Sequence, residues 1–221
     1  MDLHDQLIES IRRADRQQAN ALLDAWTDAN GYERVLADVL EPVLVRIGEE
    51  WRCHEAFTLS QAYVAARITE DVLTRIAARI PAGSRADRGP VVIGNIEEDF
   101  HALGRRMVGT FLRSEGWKVH DLGNDVSPAA FVDAALETGA RVIGVSAMMM
   151  TTARNIRYLR EEIDRRGCSG RIQLAVGGAV FLVSPGLVDE VGGDGSAANA
   201  LGAVKLFERL RQRSLAKEAV A

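Results

Sequence analysis

The chain is 221 residues long, with 47% hydrophobic and 26% charged residues and a formal net charge of −4. That length supports one large domain or two small ones with real cores, and the mild acidity gives no electrostatic footprint for a nucleic acid. Two cysteines, Cys53 and Cys168, with no C-x-x-C pair, exclude a disulfide framework and a cysteine zinc site.

Met1-Asp2-Leu3-His4-Asp5 lacks the basic start and apolar core of a signal peptide. No apolar run approaches the roughly 18 residues of a membrane-spanning helix. The expected location is cytoplasmic, with no membrane and no direct nucleic-acid partner. Residues 1–80 read as helix throughout. Leu3, Leu7, Ile8 and Ile11 fall at helical spacing, and Ala21, Leu22, Leu23 and Trp26 continue it in a second short helix that Asn30-Gly31 stops. Val35, Leu36, Val39, Leu40, Val43, Leu44, Ile47 and Trp51 form a long stripe at i, i+3/i+4 spacing, in which Pro42 is expected to kink or restart the helix. A fourth helix starts near Thr58 and carries Leu59, Tyr63, Ala66, Ile68, Val72, Leu73 and Ile76. Four amphipathic segments with short connections predict a four-helix bundle. Residues 81–89, rich in Gly, Pro and charge, read as a linker.

Over residues 90–221 the period changes. Val91–Ile93, Lys118–Leu122, Val142–Val145 and Ile172–Val176 read as strands, with a short fifth near Gly193–Ser196. Helices are expected over Ala102–Ser114, Pro128–Thr138 with Ser127 as its cap, Ala153–Arg166 and Ala198–Arg213, and a frayed tail from Ser214. Strands alternating with helices predict a doubly wound parallel α/β sheet. Such sheets bind ligands outside the carboxyl ends of their strands. The segments holding His101, Ser146 and Gly177 all follow strands, so they converge on one edge.

Asp99-Phe100-His101-Ala102-Leu103-Gly104 is the most informative of these segments. A loop histidine can ligate a metal through one ring nitrogen while the other donates to a nearby carboxylate, which fixes the tautomer. Taken alone, the hexapeptide also fits an ordinary loop histidine, and Ser146 also fits a helix cap. Met148-Met149-Met150 fit core filling as well as a binding edge, and Gly177-Gly178 fit a plain strand-to-helix turn as well as a close approach to something flat. Gly193 lies in a second loop of that kind. No G-x-G-x-x-G follows the first strand and no Walker-type lysine loop exists, which argues against dinucleotide and nucleoside triphosphate sites.

In order and spacing, these segments resemble the cobalamin-binding domain of corrinoid proteins. Its pattern is D-x-H-x-x-G, then S-x-L or a variant, then G-G, here Asp99/His101/Gly104, Ser146-Ala147-Met148 and Gly177-Gly178. Residues 117–126 resemble that family's second strand and loop, and residues 1–80 are similar to its helical cap. The resemblance implies an N-terminal four-helix cap followed by a flavodoxin-like, five-stranded Rossmann-like domain. It also implies that His101 is the lower axial cobalt ligand, that Asp99 orients it, and that Ser146 extends the relay. Gly104, Met148, Thr151, Gly177, Gly178 and Gly193 would complete the cofactor site from below, and Trp51 from the cap.

Two branches of the family fit in different places. Ser146 through Thr152 is similar to the methyl carriers, although these have Gly and Asp where this chain has Glu98 and Ala102, and Phe where it has Trp51. Leu40–Leu44, Ile47–Trp51, His101–Gly104 and Gly116-Trp117 are similar to cobalamin-dependent photoreceptors and regulators, in which a cap Trp covers the adenosyl group. Those photoreceptors carry a Glu-His pair where this chain has Gln61 and Ala62; Cys53, His54 and Tyr63 lie nearby. Some relatives accept a second, linear tetrapyrrole, and no residue here calls for one. The first expectation is therefore a stand-alone light- or ligand-responsive adenosylcobalamin sensor, acting by homo-oligomerisation or through a separate output protein. The alternative is a methyl-carrier corrinoid protein, taking methylcobalamin and serving a separate methyltransferase. A mutase small subunit fits less well, since it would not need its own cap.

Overall fold

Apolar residues recurring every three or four positions make the first unit, and strands alternating with helices make the second. The computed structural model describes residues 1–52, 58–78 and 87–218, and the two units divide after residue 79. In the first, α1 (Leu3–Arg12) is opened by Asp2, whose carboxylate accepts the Asp5 amide, and it buries Leu7, Ile8 and Ile11. α2 (Arg16–Asn30) is opened in the same way by Asp15 and ended by Gly31 at φ +86°. A short α3 (Tyr32–Val35), a π-helical turn (Leu36–Leu40) and α4 (Glu41–Arg52) follow without a break. α5 (Leu59–Ala77) starts with a capping box between Thr58 and Gln61.

As expected, the helix restarts at Pro42, which is the second residue of α4 after the π turn. A proline removes its own amide and pushes against the carbonyl four residues earlier, here Asp38. The wider π turn absorbs this, with the Glu41 amide bonded to the Leu36 carbonyl. The Asp38 carbonyl instead accepts Nε2 of His4 at 3.0 Å.

The second unit is a five-stranded, all-parallel sheet in the order β2-β1-β3-β4-β5, built from β1 (Pro90–Asn95), β2 (Lys118–Asp121), β3 (Val142–Ser146), β4 (Gln173–Gly177) and β5 (Gly195–Ser196). α6 (Ala102–Ser114), α7 (Pro128–Thr138), α8 (Met150–Arg165) and α11 (Ala200–Glu218) flank it. Side chains alternate between its faces. Val92, Ile143, Val145, Leu174 and Val176 join Phe131, Ile156 and Leu159 in one core. Val91, Ile93, Val142 and Ala175 join Leu112, Trp117, Leu206 and Phe207 in the other. At Gly144 a Cβ would lie 2.5 Å from the Phe207 ring, so α11 lies directly on the sheet there.

Four expectations are corrected. α8 begins at Met150, one turn before Ala153, because the methionine and threonine run is helical rather than loop. Two short helices, α9 (Ala179–Val183) and α10 (Leu187–Glu190), fill the stretch after Gly178. β5 is reduced to two residues. The terminal helix starts at Ala200 and continues through Ser214, which is buried and donates to the Arg171 carbonyl instead of fraying.

Candidate functional site

The strand order reverses between β1 and β3, so the loops leaving these neighbours run to opposite sides and open a crevice at their carboxyl ends. The β1 loop begins with a tight turn in which the Asp99 amide donates to the Ile96 carbonyl at 2.9 Å. Its third residue, Glu98, has φ +67°, a conformation that favours glycine. The Glu98 amide is held by the Asp125 carboxylate at 2.8 Å.

This turn aims the Asp99 carboxylate into the crevice, where only 1% of the residue is exposed. Oδ1 accepts Nδ2 of Asn95 at 2.9 Å and the main-chain amide of His101 at 3.0 Å. Oδ2 accepts the Met148 amide and the Thr152 hydroxyl, both at 2.8 Å. Burial works to raise the Asp99 pKa, but the donors outweigh it, led by the Met148 and His101 amides, and hold the carboxyl below its ordinary value. Asp99 is therefore a buried, ionised anchor.

His101 caps the start of α6. Its Nδ1 lies 3.3 Å from Asp99 Oδ1, and its side chain is 49% exposed. With Nδ1 facing an ionised oxygen, the proton belongs on Nδ1 and the lone pair on Nε2. Nε2 makes no hydrogen bond among the described residues. Exposed apolar side chains lie on the two loops that meet here: Phe100 beside His101, and Met148 and Met149 where the Met148 amide reaches Asp99. A half-exposed imidazole on an apolar rim can meet a flat ligand face-on.

The predicted residues separate here. Asp99, His101 and Met148 come together, but the hydroxyl that reaches Asp99 is that of Thr152, not Ser146. Ser146 ends β3 and its main-chain carbonyl accepts the Ile96 amide; no hydrogen bond joins its side chain to Asp99. Thr152 reaches inward because α8 has already begun, while Thr151 points outward. Gly178, at φ +116°, is demanded by the chain itself, since a Cβ would lie 1.9 Å from the Ala147 carbonyl oxygen. Gly193 is pressed on Val176 and Val188. Gly104 and Gly177 are the open ones, with nothing within 4 Å of a Cβ. Gln61 spends its side chain inside the first unit, on the Thr58 amide and the Arg12 carbonyl. Trp51 lies in the last turn of α4 and its side chain is outside the described residues, as are Cys53 and His54. Asn95 and Thr152 were the omissions. Asn95 could have been noticed as the polar end of an apolar strand.

Among the described residues no group of three or more His, Cys, Asp or Glu could hold a bare metal ion. One free imidazole nitrogen suits a metal whose other positions are already filled by a macrocycle. The free Nε2, the open positions at Gly104 and Gly177 and the exposed apolar side chains fit such a group. No described helix is long and apolar enough to cross a membrane.

Comparison with known proteins agrees with this geometry. A family model described as a B12 binding domain matches residues 89–205, and a second of the same description matches residues 3–76. Dimethylamine corrinoid protein 3 of Methanosarcina acetivorans is 39% identical over 135 residues, which cover 61% of this chain and 62% of that protein. The chain thus spans less than two thirds of that relative. A corrinoid protein of Desulfitobacterium hafniense is 29% identical over 216 residues, 95% of this chain and 98% of that one. The fold matches the structure of the Methanosarcina barkeri monomethylamine corrinoid protein with a TM-score of 0.76 at 23% identity, over 94% of this chain and 98% of that one.

Proposed function

Since the chain belongs to the B12-binding family, we propose that it is a methyl-carrier corrinoid protein serving a separate methyltransferase. A bound corrinoid supplies a cobalt centre able to accept and give up a methyl group. His101 offers Nε2 as the lower axial ligand, and Asp99 holds the imidazole in the tautomer that leaves that nitrogen free. Thr152 and the Met148 amide keep Asp99 ionised and in place. Phe100, Met148 and Met149 offer apolar surface beside the exposed imidazole. Gly104 and Gly177 leave room for the cofactor's body and tail, with Ser146, Thr151, Gly178 and Gly193 on the same edge.

The observation that carries this reading is the His101–Asp99 pair, with Nε2 free at the β1–β3 crevice. The relatives named dimethylamine corrinoid proteins support the carrier over the light-responsive sensor, and with it the methyl form of the cofactor over adenosylcobalamin. The test is to load the purified protein with hydroxocobalamin, reduce it, and add a methyl donor with a corrinoid methyltransferase encoded beside it. Methyl transfer in turnover supports the carrier. An adenosylcobalamin complex that changes spectrum and oligomeric state on illumination, with no methyl transfer, supports the sensor instead.

A further inference from the structure

Asn95 is the last residue of β1 and is completely buried. Its Nδ2 donates twice, to Oδ1 of Asp99 at 2.9 Å and to the main-chain carbonyl of His101 at 3.2 Å. The amide orientation follows from these partners, because exchanging Oδ1 and Nδ2 would set an oxygen against two acceptors. The Asn95 main chain is pinned as well. Its amide donates to the Gly123 carbonyl at 2.9 Å, and its own carbonyl accepts the Val126 amide at 3.0 Å. The side chain therefore projects from a fixed strand, whereas Asp99 and His101 stand on a loop.

Its Oδ1 is buried with no hydrogen-bond partner. An unsatisfied buried acceptor is unfavourable, and an apolar side chain of similar volume would avoid it. Its Nδ2 is what the site uses: without it the buried Asp99 oxygen and the His101 carbonyl each lose a donor. Sites are held more tightly by strands than by loops, and this amide ties both ends of the Asp99–His101 loop segment to the sheet.

We infer that Asn95 is a positioning residue for the axial histidine, holding the Asp99 carboxylate and the His101 carbonyl so that Nε2 stands where a cobalt ligand must. This rests on the reading of His101 as that ligand. Asn95 acts on the cofactor through His101 and Asp99.

The experiment uses the full chain, labelled with 15N-histidine and loaded with cob(II)alamin, in which the 15N doublet in the electron paramagnetic resonance spectrum, against the 14N triplet of the cofactor's own base, reports the histidine-ligated fraction. In Asn95→Ala the ratio of ligated to unligated cofactor is expected to fall about tenfold while cobalamin stays bound. Asn95→Thr, which keeps one donor, is expected to fall between that variant and the unaltered protein. An unchanged ratio in Asn95→Ala, with the 15N doublet abolished in His101→Ala, overturns the inference and leaves the ligand reading standing. A 15N doublet that persists in His101→Ala overturns the ligand reading, and the inference with it. If Asn95→Ala does not fold, Asn95→Thr decides alone: a lowered ratio supports the inference and an unchanged one overturns it.

Discussion

The hydroxyl of Thr152 donates to Oδ2 of Asp99 at 2.8 Å, joining the first turn of α8 to the loop after β1. The same hydroxyl also lies 3.1 Å from the Met149 carbonyl. It has one hydrogen to give, and the charged, nearer oxygen takes it. Asp99 thereby stands at the start of two helices, receiving the His101 amide before α6 and the Met148 amide before α8. Partial positive charge at helix N-termini favours an anion there.

Thr152→Val removes this donor while keeping the shape. Unfolding free energy is expected to drop by about 1–3 kcal/mol, because the charged oxygen has no water to turn to. Ser146→Ala is expected to stay within about 0.5 kcal/mol. Urea denaturation of both variants checks this; equal losses would mean that the hydroxyl at Asp99 contributes nothing of its own.

Asp99 also makes stability depend on pH. Its folded pKa lies below the ordinary 3.8, so its ionised form is stabilised by folding. That contribution is fully present above the unfolded value and is lost as pH falls through the lowered folded value. The stability difference between the unaltered protein and Asp99→Asn should therefore be level from pH 7 to about pH 5 and shrink below it. Denaturant titrations at a series of pH values measure the difference, and a flat curve down to pH 2 would contradict the assignment.

Glu98 carries a backbone conformation that suits another residue. At φ +67° its Cβ crowds the main chain, a strain that glycine would not carry. Glu98→Gly is expected to raise the melting temperature, by the equivalent of about 0.5–1 kcal/mol. The Asp125 contact to the residue 98 amide is untouched by the change, so cobalamin affinity should hold. Calorimetry with and without cobalamin tests both halves.

The legible parts of the sequence were those whose signal is local. The D-x-H spacing placed Asp99 beside His101, and the apolar runs Val91–Ile93 and Val142–Val145 placed both on one sheet edge. Asn95 and Thr152 were harder, because their partners lie across a strand end and 53 residues apart in the chain. The family resemblance gives the relay to Ser146, at the end of a strand. Only knowing that α8 starts at Met150 moves that role to Thr152. α9 and α10 escaped because Gly178, Pro185 and Gly186 interrupt any helical period. Pro42 marks the restart of α4, but neither the π turn before it nor the partner of Asp38 on another helix is legible in the sequence.

That partner supplies a last prediction. Pro42 takes away the amide that an α-helix would aim at the Asp38 carbonyl, and His4 fills the gap with Nε2 at 3.0 Å. His4→Ala removes that side-chain donor and is expected to lower stability by about 1 kcal/mol. Pro42→Ala restores an amide four residues after Asp38, so the carbonyl can again be satisfied within its own helix. In that background the same His4→Ala should cost less. The two costs are therefore not additive, and a double-mutant cycle by thermal unfolding isolates their coupling. Coupling within error of zero would mean that the π turn satisfies Asp38 without His4, and that the histidine is held there by packing alone.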